Sequence, residues 1–433
     1  MDTLPQELVE KVVDHIPKHS IAAASLTCSL FREPCQRRLL STILVQGGLC
    51  SRTHPNNPSR PGKRLWRLFQ LSPTAASYVR AVQINDDTCC DGCQWLDEDE
   101  DLLKALQLIA QQNLIQFLGI RMRNHSHIDI GPNAKASLLA ICRCDSFTQL
   151  QLEKAPVNII DWAGPSLKEV QLISPTYAED PSFQVTPVGP PTKLSYLRVL
   201  DICMDYPEQI LSHLVNGTRA GTLVGGLKEL VLDAECADPE NTKEFPRLLA
   251  ECMDVVEIFS FDCPEFMPDY SEGGPEHLKA HGLPDFSFFV RLKALNLSFR
   301  NSSLSPSDPV LWALHRLMTF SSYHPRLESV GLFLRQSISP DGITHSPNPE
   351  YWRKIDEILF DRQKFPNLKK VKVEFAWEMS RRGPTDDRDQ IEPYLTRLQT
   401  EGILIISSTY YWPSYRRLLW WYDVMHDFPA AAY

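Results

Sequence analysis

The chain has 433 residues, 43% hydrophobic and 9% aromatic, which is enough for a large core and unlike a disordered protein. Its 44 lysines and arginines face 54 aspartates and glutamates, a net charge of -10. This charge disfavours nucleic acid as the main partner, because phosphate binding needs a basic surface. No apolar run approaches the roughly 18 residues of a membrane span, no secretory signal is visible, and the twelve scattered cysteines are typical of reduced thiols. We therefore expect a protein of the cytoplasm and/or nucleus, with no membrane partner.

Three short helices are predicted near the amino terminus. The first runs from about Pro5 to Ile16, the second from Ile21 to Leu30, and the third begins near Pro34 and includes Ile43. Apolar residues recur along the first helix at three- and four-residue steps, which places them on one face. These residues are Leu8, Val12, Val13 and Ile16. Three such helices cannot bury a sufficient core alone, so they need a partner or the downstream chain.

The same segment carries Leu4-Pro5-x-Glu7-Leu8, then the apolar Val12, Val13 and Ile16, then the run from Leu26 to Phe31. In these residues it resembles the F-box of fungal F-box proteins, although many members have Trp where this chain has Phe31. The resemblance implies docking on a Skp-type adaptor, which links the chain to a cullin ubiquitin ligase. The adaptor contacts that it implies are Leu4, Pro5, Glu7, Leu8, Val12, Ile16, Leu26, Leu30 and Phe31. The alternative is an ordinary helical cap on a larger domain.

A repeat follows the helical segment. We predict an F-box at residues 1–46, a Pro- and Asn-rich linker at 47–62 and a repeat domain at 63–433. Within the repeat domain an apolar-x-x-apolar-x-apolar motif recurs at spacings of 20 to 41 residues. Its first positions are Val79, Ile115, Phe147, Leu167, Leu197, Leu227, Val256, Leu292, Leu327 and Leu368. Internal repeats at this scale favour a solenoid.

Helix-like segments lie between most copies of the motif, for example after Asp308-Pro309 and after Asn348-Pro349. The fold class that we predict is α/β: an N-terminal three-helix F-box followed by an irregular leucine-rich-repeat-like solenoid with parallel strands and intervening helices. The repeat resembles leucine-rich repeats but lacks their usual Asn or Cys after the strand, and most spacings are longer. A doubly wound α/β domain is the alternative.

Several residue clusters invite a chemical interpretation. Cys89, Cys90 and Cys93 are too few for a zinc site and lack a further pair at a suitable spacing. The stretch Asp87–Glu98 matches a calcium loop only in part. The acidic run Asp97–Asp101 precedes a helix, where the helix dipole favours negative charge without catalysis. No nucleotide-binding, hydrolase or metalloprotease motif is found. We therefore expect no catalytic, cofactor-binding or metal-binding residues.

The target surface is sought on the repeats. Strand residues should alternate between the core and an exposed sheet face, so one row is predicted to face a partner. This row comprises Gln171, Asp201, Val231, Asn296, Gly331 and Lys372. A second row, just after the first apolar position, comprises Lys168, Arg198, Lys228, Lys293 and Lys369. The aromatic run Tyr410–Tyr422 either caps the last repeat or anchors a target. The target-binding candidates are Asp201, Asn296, Lys372, Trp412 and Trp420.

These observations favour a substrate-recognition subunit of a Skp-cullin-F-box ubiquitin ligase. The helical segment would bind the adaptor, and the repeat domain would bind a protein target whose identity is unknown. The main alternative is a non-catalytic leucine-rich-repeat scaffold with no ubiquitin ligase role, and an enzyme ranks third. Co-purification of the adaptor and cullin with the chain separates the first two.

Overall fold

A computed structural model describes most of the chain. The described ranges are 5–47, 61–86, 95–122, 130–179, 193–200, 207–216, 224–233, 245–263, 286–301, 323–336, 348–378 and 391–411, together with residues 183, 185, 310, 314, 317, 318 and 320. The chain divides into two compact units. Unit 1 is Met1–Leu194 with Gly217–Thr222, and unit 2 is Ser195–Asn216 with Leu223–Tyr433.

Unit 1 begins with three helices and continues with strands and helices in alternation. Its helices are α1 (Gln6–His15), α2 (Lys18–Thr27), α3 (Ser29–Leu40), α4 (Pro61–Leu71), α5 (Trp95–Glu98), α6 (Glu100–Gln111) and α7 (Pro132–Cys142). Its strands are β1 (Thr42–Gln46), β2 (Ala81–Asp86), β3 (Phe117–Met122), β4 (Gln149–Glu153) and β5 (Glu169–Ile173). Two 3-10 turns, Pro73–Tyr78 and Val157–Trp162, complete it.

Unit 2 contains seven strands with helices between some of them. The strands are β6 (Tyr196–Leu200), β7 (Glu229–Asp233), β8 (Ile258–Cys263), β9 (Ala294–Asn301), β10 (Ser329–Gln336), β11 (Lys370–Glu378) and β12 (Leu404–Tyr411). The helices are α8 (Pro207–Asn216), α9 (Phe245–Cys252), α10 (Pro349–Phe360) and α11 (Thr396–Thr400). Helical residues also occur at Val310, Leu314, Leu317 and Met318, where the sequence predicts a helix after Asp308-Pro309.

The strands are parallel, and within each unit their order in the sheet follows their order along the chain. The prediction of an α/β fold with parallel strands and intervening helices is confirmed at this level. A doubly wound sheet requires the strand order to reverse at a switch point, and the described strands of neither unit show a reversal. The arrangement is therefore of the α/β solenoid-like class, in which each repeat pairs with its neighbours along the chain.

The register corrects one of the predicted repeats. Leu197 pairs with Leu230 and Val199 with Leu232, so these residues occupy the second and third apolar positions of their motif. The motif therefore begins at Leu194, which is buried, and not at Leu197. The sequence LSYLRVLDI supports both frames, because leucines stand at 194, 197 and 200. Only the pairing partner of each residue distinguishes them.

Two strands at the ends of the repeat series, β1 and β12, are not predicted from the sequence. β1 pairs with β2, with Ile43 opposite Val82, although Ile43 is predicted to lie in the third helix. The motif is in fact present there, as Leu40-x-x-Ile43-x-Val45. β12 pairs with β11, but Glu401 stands three residues before Leu404, where the motif has its first apolar residue. The sequence of β12 therefore lacks the complete apolar motif.

The helix bounds near the amino terminus also differ from the predicted ones. Pro17 precedes α2, which begins at Lys18, and α3 begins at Ser29 rather than near Pro34. Proline is tolerated in a helix interior at a cost, since its ring removes a backbone hydrogen bond. Pro34 is buried inside α3, so packing outweighs that local cost.

Carboxylates hold several helix starts in place. Asp99 caps α6 by accepting a hydrogen bond from the Leu102 backbone N–H at 3.1 Å, and it also accepts one from Gly62 N–H at 2.9 Å. A Cβ at Gly62 would collide with Leu102 N, so this close approach of α4 needs glycine. Asp97 accepts from Ala134 N–H of α7 at 2.8 Å. Asp99 thus satisfies the N-terminus of the helix that follows the acidic run, as predicted, whereas Asp97 satisfies the N-terminus of a different helix, α7.

Asp99 should therefore contribute to stability out of proportion to its neighbours. Replacing Asp99 by Ala leaves two buried backbone N–H groups without their acceptor, and we expect the free energy of unfolding to fall by about 1–3 kcal/mol. The matched control is Glu100→Ala, which removes only an exposed pair with Lys104 and should cost about 0.5 kcal/mol or less. Urea unfolding measures both variants. Equal stabilities would contradict the capping role.

Candidate partner-binding surface

The three amino-terminal helices enclose a small core. Val13 of α1, Ile21 of α2 and Cys35 of α3 are buried and form one cluster. Ile16 and Phe31 are half-buried and pack against it. These two residues therefore have a structural role, whatever else they contact. Val9, one turn before Val13, is also buried.

Charged side chains tie α3 to α1. Arg38 donates a hydrogen bond to the carbonyl oxygen of Val13 and another, of 2.6 Å, to that of Ile16. Both carbonyl groups lie where α1 ends. Cations at a helix carboxyl terminus satisfy its unpaired carbonyl groups and oppose its dipole. Arg37 makes an ion pair with Glu10 at 3.4 Å and with Glu33 at 2.7 Å. The orientation of α1 is thus held by contacts on its inner side.

The same helices leave large apolar side chains in water. Leu8 and Val12 of α1 are 47% and 51% exposed, next to the buried Val9 and Val13 in sequence. Leu26 of α2 is 82% exposed. Leu30 and Leu39 of α3 are exposed as well. Large apolar side chains that stay in water can mark an interaction site, and Leu8 and Val12 stand four residues apart on the same side of α1. We call Leu8, Val12, Leu26 and Leu30 the helical apolar surface.

The predicted adaptor contacts divide into three groups. Leu4 lies outside the described residues. Pro5 and Glu7 are exposed at the start of α1, beside Leu8 and Val12. Ile16 and Phe31 are half-buried against the internal cluster. The face predicted from periodicity is therefore split: Val13 and Ile16 turn toward the neighbouring helices, whereas Leu8 and Val12 turn away from them. A helix bundle this small covers only part of an apolar stripe.

The predicted target face of unit 2 is largely buried. Register places Arg198, Val231, Ser260, Asn296, Gly331 and Lys372 in one row across β6 to β11. Val231, Asn296 and Gly331 are buried, so the prediction that they are exposed is wrong. Asn296 donates a hydrogen bond to Ser260 Oγ at 3.0 Å. Polar side chains of this row can therefore be paired inside the structure, as Asn296 and Ser260 are.

Lys372 illustrates this packing. Its Nζ lies 2.6 Å from Glu374 Oε2, and the two side chains are 19% and 1% exposed. The ammonium also lies 5.6 Å from the centre of the Phe333 ring. A Cβ at Gly331 would lie 2.6 Å from Phe333 Cε2, so glycine makes room for that ring. Charge reversal at Lys372 would break a buried ion pair and destabilise the fold. Such a variant cannot report on target binding alone.

The remaining target-binding candidates lie outside the described residues, namely Asp201, Trp412 and Trp420. Gln171 in unit 1 is half-buried on β5. The assignment of any of these residues to target binding stays a prediction.

Three residues of the second predicted row, Lys228, Lys293 and Lys369, alternate in unit 2 with Glu257 and Glu328. Backbone hydrogen bonds run from Glu257 N to Lys228 O, Lys293 N to Glu257 O, Glu328 N to Lys293 O and Lys369 N to Glu328 O, at 2.7 to 2.8 Å. The residues in this charge ladder are Lys228, Glu257, Lys293, Glu328 and Lys369. Lys293 Nζ lies 2.7 Å from Glu257 Oε2, and Lys369 Nζ lies 2.9 Å from Glu328 Oε2. Arg198 does not belong to this row: Ser195 occupies its place, and Arg198 is buried.

The ladder shifts the acidity of its carboxyl groups. The hydrogen bond from Lys293 lowers the pKa of Glu257, and the charges of Lys293, Lys228 and Arg291 act in the same direction. The hydrogen bond and charge of Lys369 lower the pKa of Glu328, with a further contribution from Lys293. Because these groups lie at the surface, each pair contributes little to stability. The alternation places opposite charges side by side on adjacent repeats, which avoids the repulsion that a row of like charges would cause.

Of the free cysteines among the described residues, Cys28 is exposed and four are buried. Cys35, Cys142, Cys144 and Cys252 are buried free thiols. Burial raises the pKa of each of them, that of Cys252 to about 12, which keeps these groups protonated and unreactive. Within the described ranges, no three His, Cys, Asp or Glu side chains come together as metal ligands would. Cys89, Cys90 and Cys93, the candidates from the sequence, lie outside those ranges.

Two further observations bear on function. Among the helices of the described residues, none combines the length and the apolar character that crossing a membrane requires. No protein-family model matches the chain, and no curated protein is detectably similar to it. The helical apolar surface is therefore the strongest feature from which a function can be inferred.

Core and surface positions of α1 should respond differently to truncation. Val13→Ala removes buried methyl groups from the internal cluster, and we expect a loss of about 2 kcal/mol in the free energy of unfolding. Leu8→Ala should change it by less than about 0.5 kcal/mol, because Leu8 is already in water. Urea unfolding of the two variants measures the difference. A large loss for Leu8→Ala would mean that this side chain belongs to the core.

The charge ladder predicts a pH effect with a defined sign. Glu257 has a folded-state pKa below its ordinary value of 4.5, so the pair with Lys293 stabilises the fold above pH 4.5 and loses this effect as pH falls through the folded pKa. Lys293→Met should raise the pKa of Glu257 toward 4.5, measured by carbon NMR of its carboxyl group. Lys63→Met, at an exposed position of α4, is the control. An unchanged Glu257 titration in Lys293→Met would refute the pairing.

Proposed function

We propose that this chain is a non-catalytic substrate-recognition subunit of a Skp-cullin-F-box ubiquitin ligase, working in the cytoplasm or nucleus. Its three amino-terminal helices would act as an F-box and bind a Skp-type adaptor, which recruits the cullin. Its repeat units would bind a protein target. The repeats would then be an irregular leucine-rich-repeat-like solenoid, with target-binding surfaces on the second unit.

One observation carries the proposal, the exposure of the helical apolar surface. Leu8 and Val12 project into water from a helix whose inner face is already packed by Val9 and Val13. Leu26 and Leu30 flank the junction between α2 and α3, and both are exposed. These four residues belong to the segment that resembles an F-box. Covering them with a partner would remove apolar area from water, which is the main driving force of protein association.

A structural scaffold with a helical cap is the second candidate, and a specific observation favours it. The helices continue directly into β1, which pairs with β2, and Arg80 N–H donates to Ser41 O at 2.8 Å. Arg37 lies 5.8 Å from the centre of the Tyr78 ring, beneath the same repeats. The helical segment is thus packed onto the sheet of its own unit. This placement suits a cap, but a cap alone does not account for the exposed leucines.

The proposal is tested on the exposed residues. A Leu8→Glu/Val12→Glu variant places two charges on the helical apolar surface without touching the internal cluster. We expect co-purification of a Skp-type adaptor and cullin with the full chain to fall by about tenfold or more, because unpaired charges in an apolar interface cost several kcal/mol.

The matched control is Leu71→Glu, which adds a charge at a position 77% exposed at the end of α4. It should leave adaptor binding unchanged, and all variants should keep the urea midpoint of the unchanged chain. Adaptor recovery from the double variant equal to that from the control would reject the F-box assignment and leave the scaffold.

A further inference from the structure

A second group of exposed apolar side chains lies in unit 2, in the turns that precede β9 and β10 and at the helical residue Met318. Phe288, Val290, Met318 and Tyr323 are each between 54% and 63% exposed. We call these four residues the turn patch. They account for much of the large apolar surface that the described residues of unit 2 expose, and the proposed adaptor contacts do not include them.

The two turns are built alike. Leu292 N–H donates to Phe289 O, and Leu327 N–H donates to His324 O, at 3.2 and 3.4 Å. Because Ala294 pairs with Ser329, residues that are 35 positions apart occupy the same place in adjacent repeats. Phe288 and Tyr323 are such a pair. Equivalent positions on adjacent parallel strands lie next to each other across the sheet edge.

The turn patch rests on a rigid aromatic base. The buried rings of Phe286 and Phe320 lie 5.7 Å apart, and Phe286 lies 6.3 Å from Phe289. Phe320 in turn lies 5.6 Å from Phe365. Packed rings of this kind hold the turns in one conformation. A partner would therefore lose little free energy to ordering the surface that it binds.

Positive charge borders the patch. Arg291 and Arg326 form another pair of equivalent positions, and both are exposed. Within the described residues, neither guanidinium makes a hydrogen bond or an ion pair. The adjoining charge ladder holds three lysines against two glutamates. Lys364 takes the place of Phe288 and Tyr323 in the turn before β11, where Leu368 N–H donates to Phe365 O. The turns before β9, β10 and β11 thus each carry a basic side chain, Arg291, Arg326 or Lys364, in a chain whose net charge is -10, and the turn before β8 carries the exposed Asp254.

We propose that the turn patch binds an acidic peptide segment of a target protein, with aliphatic or aromatic side chains of that segment on Phe288 and Tyr323 and its carboxylates on Arg291 and Arg326. Arginine pairs with carboxylates through two parallel hydrogen bonds, and aromatic and arginine side chains dominate binding hot spots. This proposal deepens the proposed function and rests on it in one respect, namely that the bound peptide belongs to a target of the ubiquitin ligase. A second copy of this chain is the competing occupant.

Fluorescence anisotropy tests the proposal with a labelled peptide in which leucine and phenylalanine alternate with aspartate and glutamate. Two counterpart peptides carry lysine in place of the acids or serine in place of the apolar residues. The full chain should bind the acidic-apolar peptide more tightly than either counterpart. Raising the salt concentration from about 50 to about 300 mM should weaken this binding, because salt screens the arginine–carboxylate attraction.

Variants locate the site. Arg291→Glu/Arg326→Glu should weaken peptide binding by about tenfold or more, since it replaces attraction by repulsion. Lys63→Glu/Arg64→Glu makes the same change in net charge at exposed positions of α4 and should leave binding unchanged. Phe288→Ser/Tyr323→Ser should weaken binding by a similar factor at both salt concentrations. If that apolar variant fails to fold, the arginine variant decides, because it leaves the aromatic side chains in place.

Three outcomes would overturn the proposal. In the first, the full chain binds the acidic-apolar peptide no more tightly than its counterparts. In the second, the arginine variant binds that peptide as tightly as the α4 control variant does. In the third, sedimentation shows a dimer that Phe288→Ser/Tyr323→Ser dissociates, which assigns the patch to self-association. Adaptor co-purification from the same preparations keeps the two proposals separate. Adaptor binding without peptide binding rejects only the turn patch, and peptide binding without adaptor rejects only the ubiquitin ligase role.

Discussion

A backbone hydrogen bond just before the strand ties each repeat from β2 to β5, and each repeat from β7 to β11, to the preceding repeat of its unit. In unit 2 the residue after the first apolar position donates to the carbonyl of its equivalent in the preceding repeat, from Lys228 to Lys369. In unit 1 the same bond joins Gln116 to Arg80, Thr148 to Gln116 and Lys168 to Thr148. Buried backbone groups must be paired. Each of these bonds therefore helps to set the register of the strand that follows it.

This constraint acts on the six residues of the apolar motif, and the length of the chain between two motifs can vary. The segment from one motif to the next can therefore vary between 20 and 41 residues, because any length that returns the chain to the same edge satisfies the bond. The variable segments include helices such as α6, α7 and α10, whose buried faces cover the sheet. Regular pairing and irregular spacing are thus compatible, as a solenoid requires only contacts between neighbouring repeats.

The exposed apolar surfaces lie where this pairing does not supply a cover. α1 packs its inner face on α3 through Val9 and Val13, but no further layer of the described residues covers Leu8 and Val12. The turns before β9 and β10 bury Phe289 and His324 beneath the sheet edge and leave Phe288 and Tyr323 outside. Both surfaces follow from the same geometry, since a short element has two sides and packs only one of them. The row across the sheet of unit 2 is largely buried instead, because polar neighbours such as Asn296 and Ser260 form hydrogen bonds with each other.

Much of the fold could be predicted from the sequence, since it depends on local patterns. Alternating apolar residues at Leu227, Leu230 and Leu232 identify a strand, and Asn348-Pro349 identifies the start of α10, where Asn348 accepts from Glu350 N–H. The tertiary structure decided what depends on pairing partners. It shows that the motif of β6 begins at Leu194, that Ile43 lies in a strand and that Arg198 is buried. It also separated Leu8 and Val12 from Val13, because a helical stripe shows which residues are apolar, whereas only the neighbouring helices determine which of them remain in water.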